Sequence, residues 1–162
     1  PNAIAVTKSR ATTGGPNRRA FDDRLAVLAE GAGDPPACLV IFDIDYFKQV
    51  NDSLGHEAGD RILQEVSQTI KSTLRDDDLV ARLGGDEFGV LLANSDLARG
   101  ERVAVRVLEA IDSAGSEPPV TATAGVSLIG HDGRHAMVRA DTALYHAKHA
   151  GRNRVAVAGD DS

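Results

Sequence analysis

Residues Ala81 to Leu92 read "ARLGGDEFGVLL". The two apolar runs, "DLVARL" ending at Leu83 and "EFGVLL" from Glu87, read as strands joined by a tight turn in which Gly84 and Gly85 supply the positive φ values such turns require. A plain hairpin has no need of a second acid. Asp86 and Glu87 therefore demand a reason, and the segments on either side supply one.

Upstream, "ACLVIFDID" from Ala37 to Asp45 is a short apolar run with loop-like flanks and reads as a central strand. Before it, "GGPN" at Gly14 to Asn17 reads as a turn ending in an Asn helix cap, followed by Phe21, Leu25 and Leu28 on one helical face. Between strand and hairpin, the polar, turn-prone stretch "YFKQVNDSLGHEAGD" leads into the helical stripe Ile62, Val66, Ile70 and Leu74. After the hairpin come a helix through Val103, Val107 and Ile111, a β-branched strand from Val120 to Ile129, a long helix through Met137, Leu144 and Ala147, and a short final strand, "NRVAVA".

This order predicts an α+β fold, an α/β sandwich with a ferredoxin-like βαββαβ core: a central, mainly antiparallel sheet flanked by helices, with an extra N-terminal helix and a C-terminal helix and strand. Right-handed crossovers set the first and third strands side by side and antiparallel. The end of the first, with Asp43 and Asp45, then meets the start of the third, with Asp86 and Glu87. Crowded carboxylates repel one another unless a cation sits between them, and oxygen donors without His or Cys suit Mg²⁺ or Mn²⁺ rather than zinc.

Composition narrows the field. The 162 residues suit one domain, and 42% hydrophobic with 26% charged residues is ordinary for a globular protein. A net charge of −6 and 4% aromatic residues disfavour a nucleic-acid-binding face. No apolar run reaches the roughly 20 residues of a membrane helix, so no membrane contact is expected of this chain. The single cysteine, Cys38, reads as a buried reduced thiol, which suits a cytoplasmic compartment. Because the chain begins at Pro1, it is expected to be a piece of a longer protein.

The run Gly84, Gly85, Asp86, Glu87, Phe88 resembles the signature of the GGDEF family of diguanylate cyclases. "FDIDYFKQVND" from Phe42, "GHEAGD" from Gly55 and "ADTALYHAKHAGRN" from Ala140 stand in that family's order and spacing over nearly the whole chain. The resemblance implies a nucleotide-cyclase-like fold and a bacterial enzyme that condenses two GTP into cyclic di-GMP and two pyrophosphates. It implies Mg²⁺ (or Mn²⁺), two ions per GTP, on Asp43, the carbonyl of Ile44, Asp86 and Glu87, with Glu87 either a ligand or an aid to deprotonation of the attacking 3′-hydroxyl. Asn51 and Asp60 would read the guanine edge, Phe47 and Leu54 would shape the base pocket, and Lys48, Lys148 and Arg152 would hold the β and γ phosphates. Gly84 and Gly85 would let the hairpin backbone approach the ligand. A transient homodimer would bring two nucleotides together, under sensor or regulatory domains outside this chain.

The resemblance also implies a product-inhibition site for cyclic di-GMP at Arg75 and Asp78, joined by Arg102 and Arg106 four apart on one helical face. The chain departs from the family at its opening, where Arg10, Thr12 and Gly15 replace an Asp and two leucines. Residues 1–16 are accordingly expected to be loosely anchored, 17–157 to form the GGDEF domain, and 158–162 to be a tail. His56 reads as structural, Tyr145 as packing and Phe88 as core. The competing readings are a non-catalytic GGDEF module that binds GTP or cyclic di-GMP and regulates a partner such as a phosphodiesterase domain and, more distantly, a polymerase palm, which would need a basic channel this acidic chain lacks.

Overall fold

The computed structural model describes residues 16–159. Helix α1 (Pro16–Glu30) leads to β1 (Cys38–Ile44), two successive helices α2 (Phe47–Leu54) and α3 (His56–Thr73), and the hairpin β2 (Leu79–Gly84) and β3 (Glu87–Leu92). Helix α4 (Leu97–Ser113), β4 (Ala122–Leu128), α5 (Gly133–His149) and β5 (Val155–Val157) complete the chain. The sheet order is β2-β3-β1-β4-β5. Every pairing is antiparallel except β4 with β5, which α5 joins as a parallel crossover. The expected βαββαβ core is present, with β1 in the centre and buried along its whole length.

Helices α1 and α5 pack on one face of the sheet, α3 and α4 on the other, with α2 against α3. Small residues set how closely the first pair approaches. Gly89 and Gly125 both lie opposite Ile41, so one row across the sheet faces α1 and α5. A Cβ at Gly125 would come within 2.2 Å of the Ala140 carbonyl oxygen on α5, and one at Gly89 within 2.8 Å of the Phe21 ring on α1. Phe21 is fully buried in that notch, and Phe88 is core as expected.

Three local readings differ from the sequence expectation. The polar stretch after β1 is helical: α2 buries Phe47 on α3 with Val50 half-buried behind it, an i, i+3, i+7 spacing with Leu54 that spans only eight residues and is masked by the turn formers Asn51, Asp52, Ser53 and Gly55. Helix α1 begins at Pro16, a favoured first-turn residue, which leaves Asn17 buried inside the helix rather than capping it. Tyr145 is 57% exposed instead of packed, its ring 4.1 Å from that of His149. The segment expected to be loosely anchored lies outside the described residues except for Pro16. Cys38 is buried as expected, its Sγ within reach of the Ser95 and Asp96 carbonyls, and burial, aided by the Asp96 charge, pushes its pKa up to about 12.

Candidate active site at the end of the sheet

Antiparallel pairing sets Asp43 opposite Glu87 on one side and Thr123 on the other, and the Ile44 amide donates to the Asp86 carbonyl at 3.2 Å. The strand ends thereby bring Asp43, Asp86 and Glu87 together. Asp86 sits in the two-residue turn with Gly85, whose φ is 49°. Arg82 Nε donates to the Gly85 carbonyl at 2.9 Å and holds the turn in shape. Among the described residues, no atom outside the adjoining ones lies within 4 Å of where a Cβ would stand on Gly84 or Gly85, so the turn is open on that side.

Asp43 is 6% exposed. Its Oδ2 pairs with Lys148 Nζ from α5, while Oδ1 has no hydrogen-bond partner among the described residues. Burial, reinforced by the Asp86 carboxylate beside it and opposed by Lys148, raises its pKa from 3.8 to about 6. Glu87 is likewise raised, first by burial and then by Asp43 and Asp141, against Lys148 and Arg18. Lys148 is itself raised: desolvation disfavours its charge, but its bond to Asp43 and the nearby acids outweigh that cost. The site has more buried negative charge than its own cations neutralise.

The expected gathering of four acids is reduced to three. Asp45 accepts from Thr121 Oγ1 at 2.7 Å, Thr123 Oγ1 at 2.6 Å and the Asn153 amide at 3.2 Å, so its oxygens are already used. Among the described residues no three His, Cys, Asp or Glu side chains form a metal-holding cluster of their own. The donors present nevertheless fit Mg²⁺, which is ordinarily held by one or two carboxylates together with substrate phosphates rather than by an all-protein cage. The unpartnered Asp43 Oδ1 next to Asp86 is a hard oxygen of that type.

The predicted base-reading residues converge on one glycine. A Cβ on Gly59 would fall 1.8 Å from Asn51 Oδ1 and 3.2 Å from the tip of the Phe47 ring. Asn51 and Phe47 of α2 therefore lie directly over the first turns of α3, next to exposed Asp60, and Asn51 Oδ1 is buried with no partner among the described residues. Leu54 is 55% exposed at the end of α2. The basic residues are less concentrated. Lys48 points to solvent and pairs with Asp52 at 3.0 Å, Lys148 is held by Asp43, and the Arg152 guanidinium stands 4.9 Å from the Tyr46 ring centre.

At the turn before β2, Asp78 is almost fully buried and takes the Arg75 amide at 3.0 Å and the Ala93 amide at 3.3 Å. Arg75 Nη2 donates to the Ala93 carbonyl at 2.8 Å while about half of the side chain stays exposed. Arg102 and Arg106 are exposed on α4.

Sequence reasoning missed four contributors. Gly59 carried a signal, a glycine inside a helix that must have a packing reason. Asp45 was seen as one more acid. Asp141 on α5, whose pKa burial raises despite Lys148, and Arg18, which donates to the Leu83 carbonyl at 3.1 Å and lowers the pKa of Glu87, act through space that the sequence does not display.

A ferredoxin-like sheet with acids at the meeting ends of its central strands, and hard-oxygen donors of the type that suits a magnesium-borne phosphate, has its counterpart in one family. The family profile described as "Diguanylate cyclase, GGDEF domain" matches residues 11–154, and the chain belongs to that family. It is 38% identical to the probable diguanylate cyclase DgcT of Escherichia coli over 96% of this chain and 38% of that protein. The GGDEF domain of Caulobacter crescentus DgcB, solved with cyclic di-GMP, superposes with a TM-score of 0.80 at 31% identity, covering 91% of this chain and 95% of that one. Diguanylate cyclase SiaD of Pseudomonas aeruginosa, solved with its activator SiaC, gives 0.82 at 39% identity over 90% of this chain and 60% of that one. The chain spans less than half the length of the curated relatives it matches, from 14% to 43% among the first of them.

Proposed function

We propose that this chain is a diguanylate cyclase domain that condenses two GTP into cyclic di-GMP and two pyrophosphates. The observation that carries the reading is the buried Asp43, with one oxygen unpartnered and Asp86 beside it, at the open face of a glycine turn. Asp43, the Ile44 carbonyl, Asp86 and Glu87 would hold the Mg²⁺ ions, two per GTP. When bound, the ions supply charge stabilisation at the α-phosphorus and the departing pyrophosphate.

The residues divide the remaining work. Asn51 and Asp60 take the guanine edge, with Phe47 and Leu54 at the base, and reject adenine because it would cover their polar groups and leave them unpaired. Lys148 releases Asp43 as the triphosphate arrives and, with Lys48 and Arg152, turns to the β and γ phosphates. Glu87 serves in one of two ways: as a ligand to the ions or, with its pKa raised by burial, as the group that takes the proton of the incoming 3′-hydroxyl. The 3′-oxygen bonds to the α-phosphorus of the facing nucleotide, and the bond to pyrophosphate breaks. Two such steps close the ring, so two copies of the domain must face each other in a transient homodimer.

Cyclic di-GMP is the inhibitor as well as the product, bound by the exposed edge of Arg75 with Arg102 and Arg106, while Asp78 holds Arg75 in place. The working compartment is the bacterial cytoplasm, and sensor or regulatory domains of the full protein set the encounter of two copies.

Incubation of purified protein with GTP and Mg²⁺ at several protein concentrations, with nucleotides resolved by chromatography, tests the proposal. Cyclic di-GMP rising more than linearly with protein concentration is expected. GTP bound but unconverted at every concentration would instead identify a regulatory module.

A further inference from the structure

The catalytic reading leaves Asp45 without a task, although it is 6% exposed and only two residues from Asp43. A buried acid beside an already negative cluster is unfavourable unless something needs its charge. Its donors are two hydroxyls from β4 and its approach, Thr121 and Thr123, and the backbone amide of Asn153. Thr123 Oγ1 also accepts from that amide, at 2.9 Å.

The loop so held is strained. Helix α5 ends in a Schellman motif, with the Arg152 amide on the Ala147 carbonyl, the Gly151 amide on the Lys148 carbonyl and Gly151 at φ 126°. The next two residues, Arg152 and Asn153, remain left-handed at φ 63° and 50° without being glycine. Such residues persist only where their surroundings over-determine them, and they cluster at functional sites. Here the surroundings are Asp45 and its neighbour Tyr46. The Asn153 amide is shared between the Asp45 carboxylate and Thr123 Oγ1, a hydroxyl that itself donates to Asp45, and the Tyr46 ring, itself set by a left-handed φ of 58°, carries the Arg152 guanidinium. Two consecutive residues at the end of β1 thus grip two consecutive residues of the loop.

We infer that Asp45 is a positioning residue for the polyphosphate end of the substrate: it fixes the Arg152–Asn153 pair, and through it the direction of the Arg152 guanidinium relative to Asp43. This rests on the proposal that Arg152 binds the β and γ phosphates. A carboxylate suits the task because its two acceptor oxygens take both threonine hydroxyls and the amide at once.

Equilibrium binding of 3′-deoxy-GTP and 3′-deoxy-GMP in Mg²⁺, neither of which can be turned over, separates the possibilities. Asp45→Asn is expected to weaken the triphosphate about tenfold, the size of one charge-assisted hydrogen bond, and the monophosphate less than about twofold. Arg152→Ala should show the same selectivity, and the double variant should lose no more than the worse single one. Loss of both ligands alike in Asp45→Asn, no loss, or an additive double variant would overturn the inference while leaving the role of Arg152 intact. Unchanged triphosphate binding in Arg152→Ala would overturn the phosphate-binding reading and the inference with it. Should Asp45→Asn fail to fold, Thr123→Val decides: it removes one hydroxyl from the same network, and about a threefold loss confined to the triphosphate is expected, an equal loss on both ligands or none being the contrary result.

Discussion

Asp78, at the open end of the hairpin, and Asp43, beside its turn, are both buried acids, yet the protein treats them in opposite ways. Asp78 meets two backbone amides and lies beside the Arg75 guanidinium, so its charge is absorbed locally and ties the turn before β2 to Ala93. Asp43 meets one lysine and another carboxylate and keeps an oxygen unpartnered. The first arrangement stabilises the fold. The second holds the fold in a state that a cation and a polyphosphate would relieve, as expected of a site whose electrostatics are arranged for a charged ligand.

Replacing each acid breaks the comparison most directly. Asp43→Asn should lower turnover of GTP at least a hundredfold, measured as cyclic di-GMP formed, and should also stabilise the ligand-free protein. The sign follows from the raised pKa. Between about 4 and about 6 the folded chain holds a proton that the unfolded chain releases, so stability falls as pH rises through that window. The shift from 3.8 to about 6 sets a ceiling of roughly 3 kcal/mol. Loss of the Lys148 partner reduces the expected gain at pH 7 to about 1 kcal/mol, seen as a higher denaturation midpoint with a flattened acid limb. Asp78→Ala should do the reverse, destabilising by about 2–4 kcal/mol because it strands two amides and frees Arg75. Arg75→Ala, which loses the bond to the Ala93 carbonyl and the long, half-exposed ion pairs with Asp77 and Asp78 but leaves both amides on Asp78, should cost about 1 kcal/mol. In that variant the ratio of inhibited to uninhibited rate at a fixed cyclic di-GMP concentration should move toward one.

The contrast also marks what the sequence made legible. The meeting of Asp43 with Asp86 and Glu87 was legible because strand order and antiparallel register follow from local pattern and right-handed crossovers, and register alone sets Asp43 opposite Glu87. Helix α2 was not, because its apolar spacing, Phe47, Val50 and Leu54, covers only eight residues and is crowded by Asn51, Asp52, Ser53 and Gly55, which favour turns. Nor was the division of labour between Asp43 and Asp45. Both acids lie at the same strand end, and what separates them is the hydroxyls of Thr121 and Thr123 and an amide more than a hundred residues away. Lys148 appeared in the sequence as a phosphate ligand, whereas its pairing with Asp43 depends on how closely Gly125 lets α5 approach β4.

A smaller effect sharpens the same distinction in the base-binding region. Alanine at Gly59 should gain up to about 1 kcal/mol of helix propensity. Its Cβ, however, would displace the short Asn51 side chain, whose Oδ1 stands 1.8 Å from that position. Stability near that of the parent with KM for GTP raised several-fold is the expected result, and unchanged KM would remove Asn51 from guanine recognition.

The smallest effect lies at the other end of β1. Cys38 occupies the same strand as Asp43 and is equally enclosed, but nothing there favours its ionisation: burial and then Asp96 push the thiol up to about 12, and only the Gly100 amide opposes them. At pH 8 its thiolate fraction is therefore about a thousandfold below that of a free cysteine, and the reagent must also reach a fully enclosed sulfur. Modification by an aromatic disulfide should follow global unfolding, with the folded protein keeping its turnover while a denatured sample reacts completely. Rapid labelling of folded protein would mean that this end of β1 opens on its own, and the rigidity that β1 lends to Asp43 would then have to come from β3 and β4 instead.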